Sequence, residues 1–269
     1  RAQRRHVRPP RSMASALVAA LSSQAYCDRV VQHPVDAPPI RSPQAVHTEL
    51  ARRFTGRDIV EIGSRNGDGI DCIARKAQTA VALEVDQRYC DKLNRRAARL
   101  RTAHHVNLTV VCNSYKSTCP DAEVYIWWEE GPNLLNPDVL SHLKQLHSAR
   151  RIRASAQAVL LFDHSLERAI QPQLHQLQPS IRWRVKISFD ERARCLSKYG
   201  NTTAIPCSRA AGAFTIVGVP LATYQEAPRA DRPHGGHGQL RGAKTHFKMI
   251  PGYPGSKVGN RVIPAVPHW

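Results

Sequence analysis

The 269-residue sequence contains no apolar run approaching the ~18 residues that a membrane-spanning helix requires, so no transmembrane segment is expected. Its seven cysteines (Cys27, Cys72, Cys90, Cys112, Cys119, Cys195 and Cys207) include no Cys-x-x-Cys pair, which argues against a zinc ribbon, and their odd number argues against a disulfide scaffold. No internal repeat is visible, so solenoids and propellers are set aside. Acids are scarce as well: 21 Asp+Glu face 39 Lys+Arg, for a formal charge of +18.

Such a balance points to a polyanionic partner, such as RNA, DNA or an anionic lipid surface. The plainer explanation is coding bias, since Arg outnumbers Lys 30 to 9. The charge is unevenly placed. Residues 1–41 hold seven Arg and two acids, and residues 222–269 hold seven Lys/Arg and two acids with seven Gly and six Pro. The 42–221 body carries 25 basic and 17 acidic side chains, so +10 of the +18 lies in the flanks. Basic Pro/Gly-rich flanks cannot bury enough apolar surface to fold alone, so the body is read as the domain and the flanks as arms.

The first arm is Arg-, Ala- and Ser-rich, with no acid before Asp28 and a short helical run at Met13–Leu21. That composition fits a trimmed mitochondrial transit segment, with a plastid one as the alternative. The rival is a secretory signal starting at Met13, with which Asn107-Leu-Thr and Asn201-Thr-Thr would fit as glycosylation tripeptides. Cys72, Cys90 and Cys112 fall in expected core elements, where a thiol behaves as a small hydrophobe. Reduced thiols are expected unless the compartment is oxidising. Cys195 and Cys207 bracket one loop and could bridge.

The body alternates two periods. β-rich runs at 58–63, 79–86, 107–112, 123–128 and 158–163 are separated by helical stretches at 68–77, 87–104, 137–148 and 166–177. A helix over 43–54 leads in. Apolar strands alternating with helices predict a parallel sheet covered on both faces. Two late strands follow: Ile181, Trp183, Val185, Ile187 and Phe189 alternate with polar residues, giving one wet face, and 213–219 comes after a long irregular loop. The fold class is therefore α/β, a doubly wound, seven-stranded, mostly parallel sheet.

The first strand and turn read Ile59-Val60-Glu61-Ile62-Gly63-Ser64-Arg65-Asn66-Gly67, and the second strand ends Ala82-Leu83-Glu84-Val85-Asp86. An acid about 20 residues beyond a glycine turn suits the binding of ribose hydroxyls. With the strand order, these motifs resemble the class I S-adenosylmethionine-dependent methyltransferases over residues 43–221. The resemblance implies a cofactor site at Glu61, Gly63, Ser64, Gly67, Glu84, Asp86 and Asn113, with Ser114 beside the adenine. The plain alternative is that Glu61 and Glu84 are scaffold acids of a vestigial site. The turn is not the dehydrogenase G-x-G-x-x-G. Arg65 either opposes a cofactor carboxylate or blocks the cleft.

The family's Asn/Asp-Pro-Pro-aromatic motif is absent: Trp127-Trp128-Glu129-Glu130-Gly131-Pro132 stands in its place. Cys119 lacks the context of the cysteine-dependent RNA enzymes. Similarity to the metal-dependent O-methyltransferases points to a Mg²⁺ site at Glu129, Glu130 and Asp163, with His164 as a weaker general-base candidate. Trp127 and Trp128 must face opposite sides of the sheet, one packing and the other free to stack.

Expected nucleic-acid contacts are Arg95, Arg96 and Arg99 on one helix, Arg182, Arg184 and Lys186 on an edge strand, and Arg241, Lys244 and Lys248 in the tail. Edge strands also carry basic residues merely to discourage pairing. From these features the first expectation is a non-catalytic subunit of an organellar ribonucleoprotein such as the mitochondrial ribosome, binding RNA or neighbouring proteins. The alternative is an active methyltransferase acting on RNA or a small-molecule hydroxyl. A third is an accessory subunit of an organellar membrane complex. No self-association signal is readable.

Overall fold

A computed structural model describes residues 26–31, 43–128, 135–200 and 207–226. In chain order the elements are α1 (residues 26–30), α2 (Gln44–Arg53), β1 (Asp58–Ile62), α3 (Asp68–Ala74), β2 (Thr79–Glu84), α4 (Gln87–His104), β3 (Leu108–Cys112), β4 (Val124–Trp127), α5 (Asn136–Ser148), β5 (Gln157–Asp163), α6 (Glu167–Leu177), β6 (Trp183–Asp190), α7 (Arg192–Tyr199) and β7 (Ala211–Pro220).

One sheet of seven strands runs β3-β2-β1-β4-β5-β7-β6. The first five strands are parallel, and β7 enters antiparallel between β5 and β6. The order reverses beside β1, which pairs with β2 on one side and β4 on the other, so a crevice opens above the C-terminal ends of these strands. The sheet's two faces build separate cores. Val60 and Ile62 pack with Leu140 and Leu143 of α5 and Ile170 and Leu174 of α6. Ile59 packs with Val46 and Leu50 of α2 and Ile73 of α3. Ala80 and Ala82 of β2 meet Leu93, Ala97 and Leu100 of α4. Small residues at that contact let α4 lie close to the sheet.

Local chemistry sets the element ends. Asp86 precedes α4 and accepts a hydrogen bond from the Arg88 N–H at 2.8 Å, an N-cap that stops β2 at Glu84 rather than at the expected Asp86. His105 closes the same helix with φ +55°. Residues 113–123 join β3 to β4 without a helix and bring polar side chains to the crevice.

Three expectations are corrected. Arg192–Tyr199 forms a helix where an irregular loop was expected, and Cys195–Cys207 joins it to the chain just before β7. Cys72 is not a thiol: it is bridged to Cys27, 45 residues away. Residues 26–31, inside the presumed arm, pack on the domain, with Cys27 and Val31 fully or almost fully buried. The Cys27 N–H donates to Thr48 Oγ1, and Asp28 pairs with Arg194 at 2.8 Å. Buried thiol pairing and a partnered short helix outweigh the unfavourable composition of the surrounding segment.

Candidate functional site

The glycine turn between β1 and α3 is backbone-driven. Gly63 (φ +77°) and Gly67 (φ +82°) both take the left-handed conformation, and Arg65 between them has φ +49°. A Cβ on Gly67 would stand 2.6 Å from Leu93 Cδ2 and 3.2 Å from Arg96 Cδ, so glycine is required there for space as well as for φ. Gly67 N–H closes the turn on the Ser64 carbonyl at 2.8 Å, and Ser64 Oγ donates to the Glu61 carbonyl.

Glu84 lies across this turn, at the end of β2, with 2% of its surface exposed. Its Oε2 accepts from the Arg65 N–H (2.8 Å), and its Oε1 from the N–H groups of Val85 (2.8 Å) and Asp86 (3.0 Å). An ionised carboxylate offers about four acceptor sites, so these amides fix its orientation and leave capacity for one further donor. Beside it a cavity of about 270 Å³ is lined by Gly63, Leu83, Glu84 and Val85, by Asn113–Lys116, by Trp127, and by Leu135 and Asp138.

Of the expected cofactor residues, the structure brings Gly63, Glu84 and Asn113 together around the cavity, with Ser114. Ser64 and Gly67 shape the turn. Asp86 is turned to Arg88, whose guanidinium holds the Asp86 carboxyl down at about 2. Glu61 lies beneath the turn: a Cβ on Gly69 would sit 2.8 Å from Glu61 Oε1 and 3.0 Å from His47 Nε2. Arg65 does not enter the cleft; its guanidinium lies over the Tyr89 ring at 5.5 Å and reaches the Tyr89 hydroxyl.

Tyr115, Lys116, Leu135 and Asp138 are lining residues that the sequence reading missed. Tyr115 stands 6.0 Å from Trp127 and edge-on to His142 at 5.4 Å, forming an aromatic wall. The only signal was their place, just after β3 or at the start of α5, both at the crevice. Trp127 is 5% exposed, lines the cavity, and among the described residues its buried Nε1–H finds no hydrogen-bond partner. Trp128 faces the other way and packs on His47 and Phe214.

Asp163 Oδ1 accepts from the Ser165 N–H and His164 Nε2 meets Thr215 Oγ1, so neither stands in a ligand cluster. No group of three metal-ligating side chains occurs among the described residues, and Glu129 and Glu130 lie outside them. Arg241, Lys244 and Lys248 lie outside them too.

The basic residues divide. Arg95, Arg99, Arg182, Arg184 and Lys186 are exposed. Arg96 is not, and its expected role as a nucleic-acid contact is corrected. It is 8% exposed and pairs at 2.8 Å with both Asp68 and Asp71 of α3. Burial of an unpaired guanidinium would be prohibitive, so both carboxylates face it, Asp71 also accepting from Arg75 Nε at 2.9 Å.

The parallel order β3-β2-β1-β4-β5 completed by antiparallel β7 and then β6 decides the architecture. The fold is that of the class I methyltransferases. No protein-family model and no curated protein matches the sequence. Among solved structures, a candidate RNA methyltransferase of Pyrococcus horikoshii aligns over 75% of this chain and 96% of its own, at 11% identity and TM-score 0.47. M. capricolum TrmK, solved in complex with S-adenosyl-homocysteine, aligns over 68% of this chain and 71% of its own at 10% identity and TM-score 0.43. An rRNA methylase of Streptococcus thermophilus covers 70% and 99% at 13% identity and TM-score 0.39. The methyltransferase fold is established by the strand order, not by these superpositions.

Proposed function

We propose that this protein is a methyltransferase that binds S-adenosylmethionine in the cavity above β1 and β2. The observation that carries this reading is the Glu84 carboxylate, buried at the sheet's switch point, oriented by three amides and facing an open cavity. Retaining an oriented anion there suits the recognition of a hydroxylated ligand. Glu84 would hold the ribose, Asn113 and Ser114 would flank the base, and Gly63 would let the ligand approach the backbone. The Trp127 indole N–H, without a partner among the described residues, offers one more donor at the cavity wall. When bound, the cofactor supplies an electrophilic methyl group. This chain orients it and shelters it between the Tyr115–Trp127 wall and the glycine turn.

The reading as a non-catalytic ribonucleoprotein subunit is not carried forward. Arg96, one of the residues that motivated its RNA contacts, is spent inside the domain. Two disulfides support maturation in an oxidising compartment in place of a mitochondrial matrix. In such a compartment a small-molecule acceptor is favoured. An RNA acceptor is the second reading, favoured by exposed Arg95 and Arg99 on α4. The other basic patch, on β6, lies at the opposite edge of seven strands, roughly 30 Å away, so the two do not form one phosphate-tracking surface.

Calorimetry with S-adenosylmethionine tests the proposal. Saturable one-site binding is expected, weakened at least tenfold by Glu84→Gln while the fold is retained by circular dichroism. No binding to the intact protein would overturn it. Transfer of labelled methyl to a metabolite fraction or to an RNA fraction separates the two acceptor readings.

A further inference from the structure

The two edges of the sheet are defended unequally. At one edge β6 displays Arg184 and Lys186, with Arg182 just before it, all exposed, and such charges oppose pairing with another chain. At the other edge β3 reads Leu-Thr-Val-Val-Cys, with neither charge nor proline, and among the described residues is paired only to β2. A bare edge of this composition is a template for strand addition.

Immediately before β3 stands Asn107, and Asn107-Leu108-Thr109 is an N-glycosylation acceptor tripeptide. Leu108 is fully buried, whereas Asn107 and Thr109 are both exposed. Alternation along the strand therefore turns the two chemically required side chains outward together. An independent observation points the same way: Cys27–Cys72 and Cys195–Cys207 are disulfides, as in chains matured in the oxidising lumen where this modification is made.

We propose that Asn107 carries an N-linked glycan that shields the β3 edge. In the transfer, Asn107 Nδ2 bonds to the anomeric carbon of an oligosaccharide carried on a polyprenyl diphosphate. The bond from that carbon to the diphosphate oxygen breaks, the diphosphate leaves, and the amide gives up one proton. Asn107 and Asn113 lie at opposite ends of β3, roughly 20 Å apart along the strand, so the glycan leaves the cavity open. The proposal rests on the edge and the disulfides, not on methyl transfer.

The test uses the full chain isolated from its native cells. Enzymatic release of N-glycans in ¹⁸O water is expected to convert Asn107 to isotopically labelled Asp in the peptide mass spectrum. An unmodified Asn107 in protein whose disulfides are intact overturns the proposal. Asn107→Gln and Thr109→Ala are each expected to remove one glycan step in gel mobility, and Thr109→Ser to keep it. Persistence of that step in Asn107→Gln also overturns the assignment. The Asn107→Gln protein is expected to aggregate more readily; unchanged aggregation would overturn the shielding role.

Discussion

At the scale of single residues, two buried groups carry measurable consequences. His47 is fully buried between α2 and the glycine turn, and desolvation pushes its pKa down from 6.5 to about 4. Because the folded value lies below the unfolded one, the unfolded chain binds the proton more readily. The His47 contribution is therefore intact above pH 6.5 and is lost as pH falls towards 4, by roughly 3 kcal/mol. Urea denaturation at pH 7 and pH 4.5 should show a smaller loss for His47→Gln than for the wild type; superimposable losses would refute the assignment. Arg96→Met should cost about 3–5 kcal/mol, because it removes the guanidinium that bridges the buried carboxylates of Asp68 and Asp71 and leaves Asp71 to Arg75 at 2.9 Å. The same substitution with Asp68→Asn and Asp71→Asn should recover most of the denaturation midpoint. The burial of Arg96 was legible in principle, since it shares the helical stripe of Leu93, Ala97 and Leu100. A basic residue among basic neighbours hid it, as its partners lie 25 and 28 positions upstream.

At the scale of elements, the turn between β1 and α3 depends on Gly67 in two ways. Gly67→Ala must bear both φ +82° and a 2.6 Å contact with Leu93, and should cost about 2–5 kcal/mol by chemical denaturation. Gly56, at φ +73° but with nothing within 4 Å, isolates the backbone part: Gly56→Ala should cost only about 1 kcal/mol. Equal losses would mean that crowding against α4 is unimportant. Most elements were readable from period alone, because parallel strands buried on both faces are continuously apolar and the helices between them are not. The helix Arg192–Tyr199 escaped because its sequence, Arg-Ala-Arg-Cys-Leu-Ser-Lys-Tyr, has no apolar stripe; a disulfide and the Glu191–Gln44 backbone contact hold it instead. The cavity was half legible. Gly63, Glu84 and Asn113 follow from motif position, whereas Tyr115 and Leu135 belong to connections with no periodic signal and Asp138 is a polar residue in the first turn of α5.

At the scale of the whole molecule, long-range staples matter more than the composition suggests. Cys27–Cys72 closes a 45-residue loop, which is worth about 4 kcal/mol by chain entropy. Cys27→Ser should lower the thermal midpoint by roughly 10 °C, and reductant should have little further effect on α1 docking in that variant. A midpoint within a degree of wild type would show that α1 is held by its non-covalent contacts, among them the Asp28–Arg194 pair and the Cys27–Thr48 hydrogen bond. No spacing rule pairs cysteines 45 apart, so this bridge was invisible until the fold brought α1 onto α3. The antiparallel entry of β7 has a consequence of a different sort. Pro220 pairs with Gln157 at the start of β5, and Lys144 Nζ fixes the carbonyls of Leu221 and Ala222 just beyond. The described chain therefore leaves the domain from the floor of the sheet, while the cavity opens at its roof. A reporter or bait joined after Glu226 would be planted behind the machine, so labelling there would map the company this protein keeps on its back without touching the mouth of its pocket.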